Sequence, residues 1–262
     1  MEPRIIFEDS EILVLDKPSG MIVNKSDTTK GEYTLQDWVE KYLKIRSTKH
    51  EIRNKSKIQN LNAQNDFEFR DSNFEFSNRA GIVHRLDKET SGVLLVAKNL
   101  EAFTNLQRQF KERKVKKTYI ALVHGKVEPT EGEINVAVGR LPWNRKRFGV
   151  VAEGREAVTK YKVLSIKYYV LGNKNEPLTL LELYPETGRT HQIRVHLKYF
   201  NHPIFADPLY AGRKTARNDR KFLPRIFLHA SKVSFMHPKT KEMVEFQSAV
   251  PDILRLFLKQ LS

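Results

Sequence analysis

The segment HRLDKETSGVLLVAKN, residues 84–99, passes from a polar turn into an unbroken apolar run. The run GVLLVAKN predicts a strand buried on both faces, and therefore one central in its sheet. The turn before it carries a carboxylate, Asp87, two residues after Arg85 and directly before Lys88. A side chain at the mouth of a buried strand is rigidly placed yet reachable, which suits a catalytic group. It also suits a loop aspartate that binds backbone N–H groups. On this segment alone both readings stand.

Outward from that strand, LEAFTNLQRQFKERK predicts a helix with Leu100, Phe103, Leu106 and Phe110 on its buried stripe. KTYIALVHGKV is a strand. TKYKVLSI and LTLLELYP read as strands with the loop GNKNEP between them. In TGRTHQIRVHLKYF the period changes from two to 3.6, with Thr190 as cap and Ile193, Leu197 and Phe200 on one helical face. RIFLHASKVSFMH is a strand pair or one bent strand, and Pro251 opens a terminal helix. Upstream, EILVLDKPSGMIV reads as strand, turn, strand. TLQDWVEKYLKI then predicts a helix capped by Thr34. Strands and helices mix without strict βαβ alternation, so the expected class is α+β around a mainly antiparallel sheet. A single domain over 1–262 is expected, with a polar surface insertion at about 47–77 rich in Asn, Lys, Ser and Glu.

The chain has 262 residues, a formal net charge of +15 and a pI near 9.8. Such an excess favours a polyanionic partner, because lysine and arginine displace counterions from phosphates. Nucleic acid ranks above a membrane surface, since no basic amphipathic helix stands out. Zero cysteines rule out disulfides, thiolate zinc sites and a cysteine nucleophile. His191 and His196 are five apart, a poor match to a helical zinc pair, and no metal is expected. No apolar run approaches the roughly 20 residues that cross a bilayer. The first residues lack the order of a secretory signal, and a cytoplasmic protein is expected.

Other segments bring chemistry that suits Asp87. TGRTHQIRVHL offers Arg189 and Arg194 at and near a helix start; an arginine within pairing distance would hold and orient a carboxylate. KVKKTYIAL offers Tyr119 beside Lys116 and Lys117, a flat aromatic face with a phenolic proton. LPWNRKRFG sets Arg145, Lys146 and Arg147 between Trp143 and Phe148, a basic loop with interleaved aromatics that suits splayed or single-stranded RNA.

HRLDKETSGVLLVAKN, KKTYIALVHG, TGRTHQIRVHL, NHPIFADPLYAG and FLHA occur in an order that resembles the RluA family of RNA pseudouridine synthases. EDSEILVLDKPSGMIV is similar to that family's first strands. The resemblance spans nearly the whole chain outside the insertion, and since the chain begins directly with those first strands it implies no separate N-terminal RNA-binding module. It implies a bent, mainly antiparallel mixed sheet flanked by helices, with a central basic catalytic cleft. It implies that Asp87 is the essential aspartate and that Arg85 flips the target nucleotide and fills its place. Tyr119 matches the active-site tyrosine, and Arg194 matches the basic residue paired with the aspartate. Leu228 matches an apolar position of the uracil pocket, and Arg189 a helix-start or phosphate contact. Ala206 is a departure, since the family usually has glycine before that aspartate.

The implied activity is isomerisation of uridine to pseudouridine in ribosomal or transfer RNA by an enzyme expected to be a monomer. The N1–C1′ glycosidic bond breaks, the uracil turns and C5 joins C1′. No redox change occurs, so no cofactor is expected. The uridine must leave its stack to be reached. Arg85, planar and always charged, suits the vacated gap. One rival is a non-catalytic RNA-binding or RNA-folding protein on the same scaffold. A second is a hydrolase using Asp87 with His84.

Overall fold

The computed structural model describes residues 2–26, 29, 31–43, 76–142, 144–171 and 174–261. The insertion expected at 47–77 lies outside the described residues except for its last two positions. Trp143 and the side chains of Arg145 and Lys146 also lie outside them. No helix is long and apolar enough to cross a membrane. The chain divides into two compact units. The first comprises Met1–Lys88, Val93–Lys114 and Phe235–Val244; the second comprises Glu89–Gly92, Val115–Ser234 and Glu245–Ser262.

In the first unit, β1 (Arg4–Glu8) runs antiparallel to β2 (Ile12–Lys17), which neighbours β3 (Ser91–Ala97). Every residue of β3 is buried, as its unbroken apolar run requires. Helix α1 spans Leu35–Leu43 and α2 spans Leu100–Lys111. Thr34 caps α1 reciprocally. Its hydroxyl accepts from the Asp37 N–H, and the Asp37 carboxylate accepts from the Thr34 N–H at 2.8 Å. Met21–Val23, expected as a strand, is not one. The Ile22 and Val23 carbonyls instead accept from the Leu35 and Gln36 N–H groups, at 2.8 and 3.0 Å. They satisfy donors that the first turn of a helix leaves unpaired. Asn99 caps α2 by accepting from the Ala102 N–H; Phe103 and Leu106 are buried, Leu100 and Phe110 half-buried.

The second unit is built on antiparallel strands in the order β10 (Leu228–Met236), β4 (Lys116–His124), β9 (Lys174–Pro185), β8 (Val158–Leu171) and β5 (Glu131–Asn135). Ser91 and Gly92 add the one parallel pairing in this set, against His229 and Ala230. The sheet is therefore mainly antiparallel with a parallel element, and with the helices it makes an α+β protein. Its core joins Ala121, Leu181, Leu183 and Leu228 to Ile193 and Leu197 of α3 (Gln192–Tyr199) and to Leu254 and Phe257 of α5 (Asp252–Gln260).

Three further expectations need correction. Residues Lys174–Pro177, expected in a loop, continue β9. RIFLHASKVSFMH, read as a strand pair or one bent strand, forms one strand, β10, with an irregularity between Ala230 and Lys232, in line with the second reading. Thr190 does not cap α3; His191 holds that position at φ 57° with no side-chain cap, and the Gln192 amide supplies the turn's bonds instead. The supposed basic loop is a hairpin: β6 (Val138–Leu141) pairs antiparallel with β7 (Asn144–Val150). A short helix, α4 (Arg213–Asp219), was not foreseen.

Candidate active site

Asp87 is half-buried between buried Leu86 and exposed Lys88, on the turn that ends the first segment of the first unit. That turn is held from below. Lys17 is fully buried at the end of β2, and its ammonium donates to the carbonyls of Pro18 at 2.9 Å, Met21 at 2.8 Å and Lys88 at 3.1 Å. The Lys88 carbonyl also accepts from the Gly20 N–H at 2.8 Å. A buried ammonium with all three donors engaged by carbonyls fixes both turns through one point. In the sequence DKPSG shows only turn chemistry, and this role is not visible in that stretch alone. Its signal was a lysine closing an apolar strand.

His84 binds backbone. Its Nε2 accepts from the Leu95 N–H at 2.9 Å, so the ring is neutral with its proton on Nδ1. Its face lies 5.0 Å from Phe110. A ring committed this way is a scaffold piece, which removes the main support for a hydrolase. Arg85 is exposed and, among the described residues, makes no hydrogen bond or ion pair. Lys88 pairs with Glu32 at 2.7 Å.

The boundary between the units falls inside the motif, between Lys88 and Glu89. In the second unit, Glu89 pairs with Arg220 and accepts from the Ile226 N–H at 3.3 Å. Ser91 accepts from buried Arg225 at 2.9 Å and bonds His229 Nδ1 at 2.9 Å; His229 Nε2 reaches the Ser248 carbonyl at 3.0 Å. Arg225 also donates to the Leu228 carbonyl at 3.0 Å, and burial pulls its pKa down to about 10. The TSG and FLHA blocks are thus tied by one buried chain of bonds. Gly92 has φ +118°, and a Cβ there would lie 2.1 Å from the Ala230 carbonyl oxygen. The strand pairing permits only glycine at this position.

Tyr119 and Leu228 share one face of the sheet, since Tyr119 pairs with Ala230 and Ala121 with Leu228. Tyr119 is half-buried at the edge of the core that contains Leu228. Arg194, on α3, is buried and forms a two-point pair with Asp207: Nε–Oδ2 2.8 Å and Nη2–Oδ1 2.9 Å. Asp207 Oδ1 also accepts from the N–H groups of Leu209 and Tyr210. These bonds satisfy a fully buried carboxylate. Asp207 stands in the NHPIFADPLYAG motif, but nothing in the sequence marks Arg194 as its partner. Ala206 before it adopts φ 61°, the conformation that glycine takes without strain. Alanine holds this conformation at a strain of about 1 kcal/mol. Its N–H and carbonyl are both bonded, to Asp219 and Arg220.

The basic residues divide. Lys116 and Arg147 are exposed. Lys117 is half-buried, donates to the Thr187 carbonyl at 3.2 Å, and is brought down to about 8 by burial. Arg189 is half-buried and donates through Nε to the Glu156 carbonyl at 3.0 Å. Thus Arg85 and Asp87 lie in the first unit, and Tyr119, Arg194 and Leu228 in the second.

A family model described as RNA pseudouridylate synthase matches residues 11–199, a span that includes Arg85, Asp87, Tyr119 and Arg194. A protein of Nitrosomonas europaea named ribosomal large subunit pseudouridine synthase D is 34% identical over 261 residues, covering 98% of this chain. The chain spans 65% of that relative's length. An uncharacterized RNA pseudouridine synthase of Aquifex aeolicus is 38% identical over 256 residues, covering 96% of this chain and 71% of the relative. Among solved structures, human RNA pseudouridylate synthase domain containing 1 matches with a TM-score of 0.66 at 26% identity. That match covers 95% of this chain and 84% of the human one.

Proposed function

The chain belongs to the RNA pseudouridylate synthase family, and from that premise we propose that it isomerises uridine to pseudouridine in RNA with Asp87 as the essential carboxylate. The observation that carries the assignment to Asp87 is its turn: half-buried, within the matched span, and anchored by a buried ammonium one residue away. Such anchoring pre-sets a reactive group without using substrate binding to order it.

The reaction conserves atoms. The N1–C1′ bond breaks, uracil rotates, the C5–C1′ bond forms, C5 loses a proton and N1 gains one. Asp87 acts as nucleophile or base. Arg194 is the basic residue of the proposed chemistry, and the two-point pairing with Asp207 through Nε and Nη2 fixes its guanidinium. Tyr119 stacks on the base or takes the C5 proton, and Leu228 lines the uracil pocket. Arg85, exposed and uncommitted among the described residues, enters the gap left by the flipped nucleotide. Lys116, Arg145, Lys146 and Arg147 bind phosphate, and Arg189 adds a phosphate contact beside α3. Lys117, turned toward the Thr187 carbonyl, stands further from this role than Lys116.

The substrate we assign is structured ribosomal RNA, supported by the name of the Nitrosomonas relative. The enzyme acts as a cytoplasmic monomer. Mapping pseudouridines in total RNA, with the active protein and with an Asp87→Asn version, tests the assignment. Loss of one or more ribosomal sites is expected. Loss confined to transfer RNA would move the substrate class, and an unchanged map would overturn the function.

A further inference from the structure

Arg194 is long, and a guanidinium has both an edge and a face to be held. Asp207 holds the edge with two bonds. The Tyr210 ring holds the face, 5.0 Å from the guanidinium carbon. Both constraints come from one short segment, because Asp207 Oδ1 also accepts from the Tyr210 N–H at 3.1 Å. The polar end of Tyr210 goes elsewhere. Its hydroxyl accepts from the Phe148 N–H, on β7, at 3.2 Å and bonds His191 Nδ1 at 2.9 Å. His191 immediately precedes the helix that carries Arg194. Below the hydroxyl, Val138, Ala157, Val195 and Tyr210 form their own apolar cluster, with Phe148 and Val150 packed on it. Arg140 covers the Phe148 ring at 5.1 Å, and that ring meets His191 edge-on at 5.6 Å.

All of these residues belong to the second unit. From them we propose that Tyr210 is a positioning residue that links the β6–β7 hairpin to the orientation of Arg194. The hairpin carries Arg147 on its exposed side and Phe148 on its packed side. The Phe148 N–H is already seated against the Tyr210 hydroxyl at 3.2 Å, so RNA meets a hairpin fixed to the ring that holds the guanidinium plane. Binding far from the reacting base thereby sets the geometry at it. The inference rests on the role assigned above to Arg194, and it adds a residue that the sequence did not point to.

Two variants separate the two ends of Tyr210. Tyr210→Phe keeps the ring and removes the hydroxyl. It is expected to raise KM for RNA roughly 3- to 10-fold with kcat within about twofold, because the hairpin is no longer held in its RNA-binding form while the ring still holds the guanidinium. Hydrogen exchange at the Phe148 amide should speed up by about tenfold or more as its bond is removed. Tyr210→Leu removes the ring, and kcat should fall by about tenfold or more. The Arg194 Nε–H resonance, assigned by its loss in Arg194→Lys, should hold its position in Tyr210→Phe and shift in Tyr210→Leu. Unchanged Phe148 exchange in Tyr210→Phe would overturn the proposal. So would kcat and KM changing together in step with the thermal midpoint, since that marks a merely structural tyrosine. Tyr210→Phe preserves packing volume, so the test survives if the leucine variant does not fold. Exchange and Nε–H shifts need no turnover. If they behave as stated while the wild-type protein makes no pseudouridine, the functional assignment fails and the link stands.

Discussion

The Lys17 ammonium lies 3.1 Å from the carbonyl oxygen of Lys88, the residue that follows Asp87. Together with its bonds to Pro18 and Met21, this makes one buried charge the anchor of two turns. Lys17→Met keeps the volume and removes three charge-assisted bonds. Stability should fall by about 2–4 kcal/mol, and the Asp87 turn should loosen. Denaturant unfolding measures the first effect and amide exchange at Gly20 the second. A loss below about 0.5 kcal/mol would show that the anchor is dispensable.

Gly92 is held to a single residue type by the carbonyl of Ala230. Gly92→Ala meets a clash with backbone and a left-handed φ together. Destabilisation of at least about 2 kcal/mol is expected, with separation of the paired Ser91–Gly92 and His229–Ala230 segments. A melting curve that matches the wild type would refute this account of the TSG motif.

These two positions show what was legible in the sequence. The β3 run, the Thr34 cap and the α2 stripe were readable because local period and burial agree. β7 was not, because Asn144–Arg147 has no apolar alternation and is a strand only through its pairing with β6. Helix α4, RKTARND, has no apolar stripe to reveal it. Among the candidate residues, Asp87, Tyr119 and Arg194 stand out as reactive residue types in motifs. Lys17, Asp207 and Tyr210 did not, because their work is done through partners distant in sequence, such as Lys88 and Phe148.

Lys117 makes stability depend on pH. Burial brings its ammonium to about 8 from a value of 10.5. The charged form is thus disfavoured by folding, and this penalty is full below pH 8. It fades as pH rises toward 10.5, where the unfolded chain still binds the proton that the native state has released. Lys117→Met should therefore be more stable than the wild type at pH 7, by about 1–2 kcal/mol after allowance for partial exposure. The gap should close by pH 10.5. Paired unfolding curves at the two pH values decide it, and an equal gap at both would contradict the assignment.

Arg85 is exposed and makes no bond among the described residues, so its removal should leave the fold alone. Arg85→Ala should change stability by less than about 0.5 kcal/mol. Turnover on RNA should nonetheless drop by about tenfold or more, since the vacated stack then has no occupant. Thermal unfolding and single-turnover rates on the same preparations provide the comparison. Full activity would remove Arg85 from the flipping step.

The central claim is that Asp87 performs the isomerisation. Joining C5 to C1′ expels the C5 hydrogen, so RNA carrying tritium at C5 of uridine releases label as each pseudouridine forms. Wild-type protein on ribosomal RNA should release tritium stoichiometrically with pseudouridine. Asp87→Asn should release it more than about 1,000-fold more slowly, while binding the same RNA within about threefold. Tritium release by the asparagine variant at a rate near wild type would contradict the account.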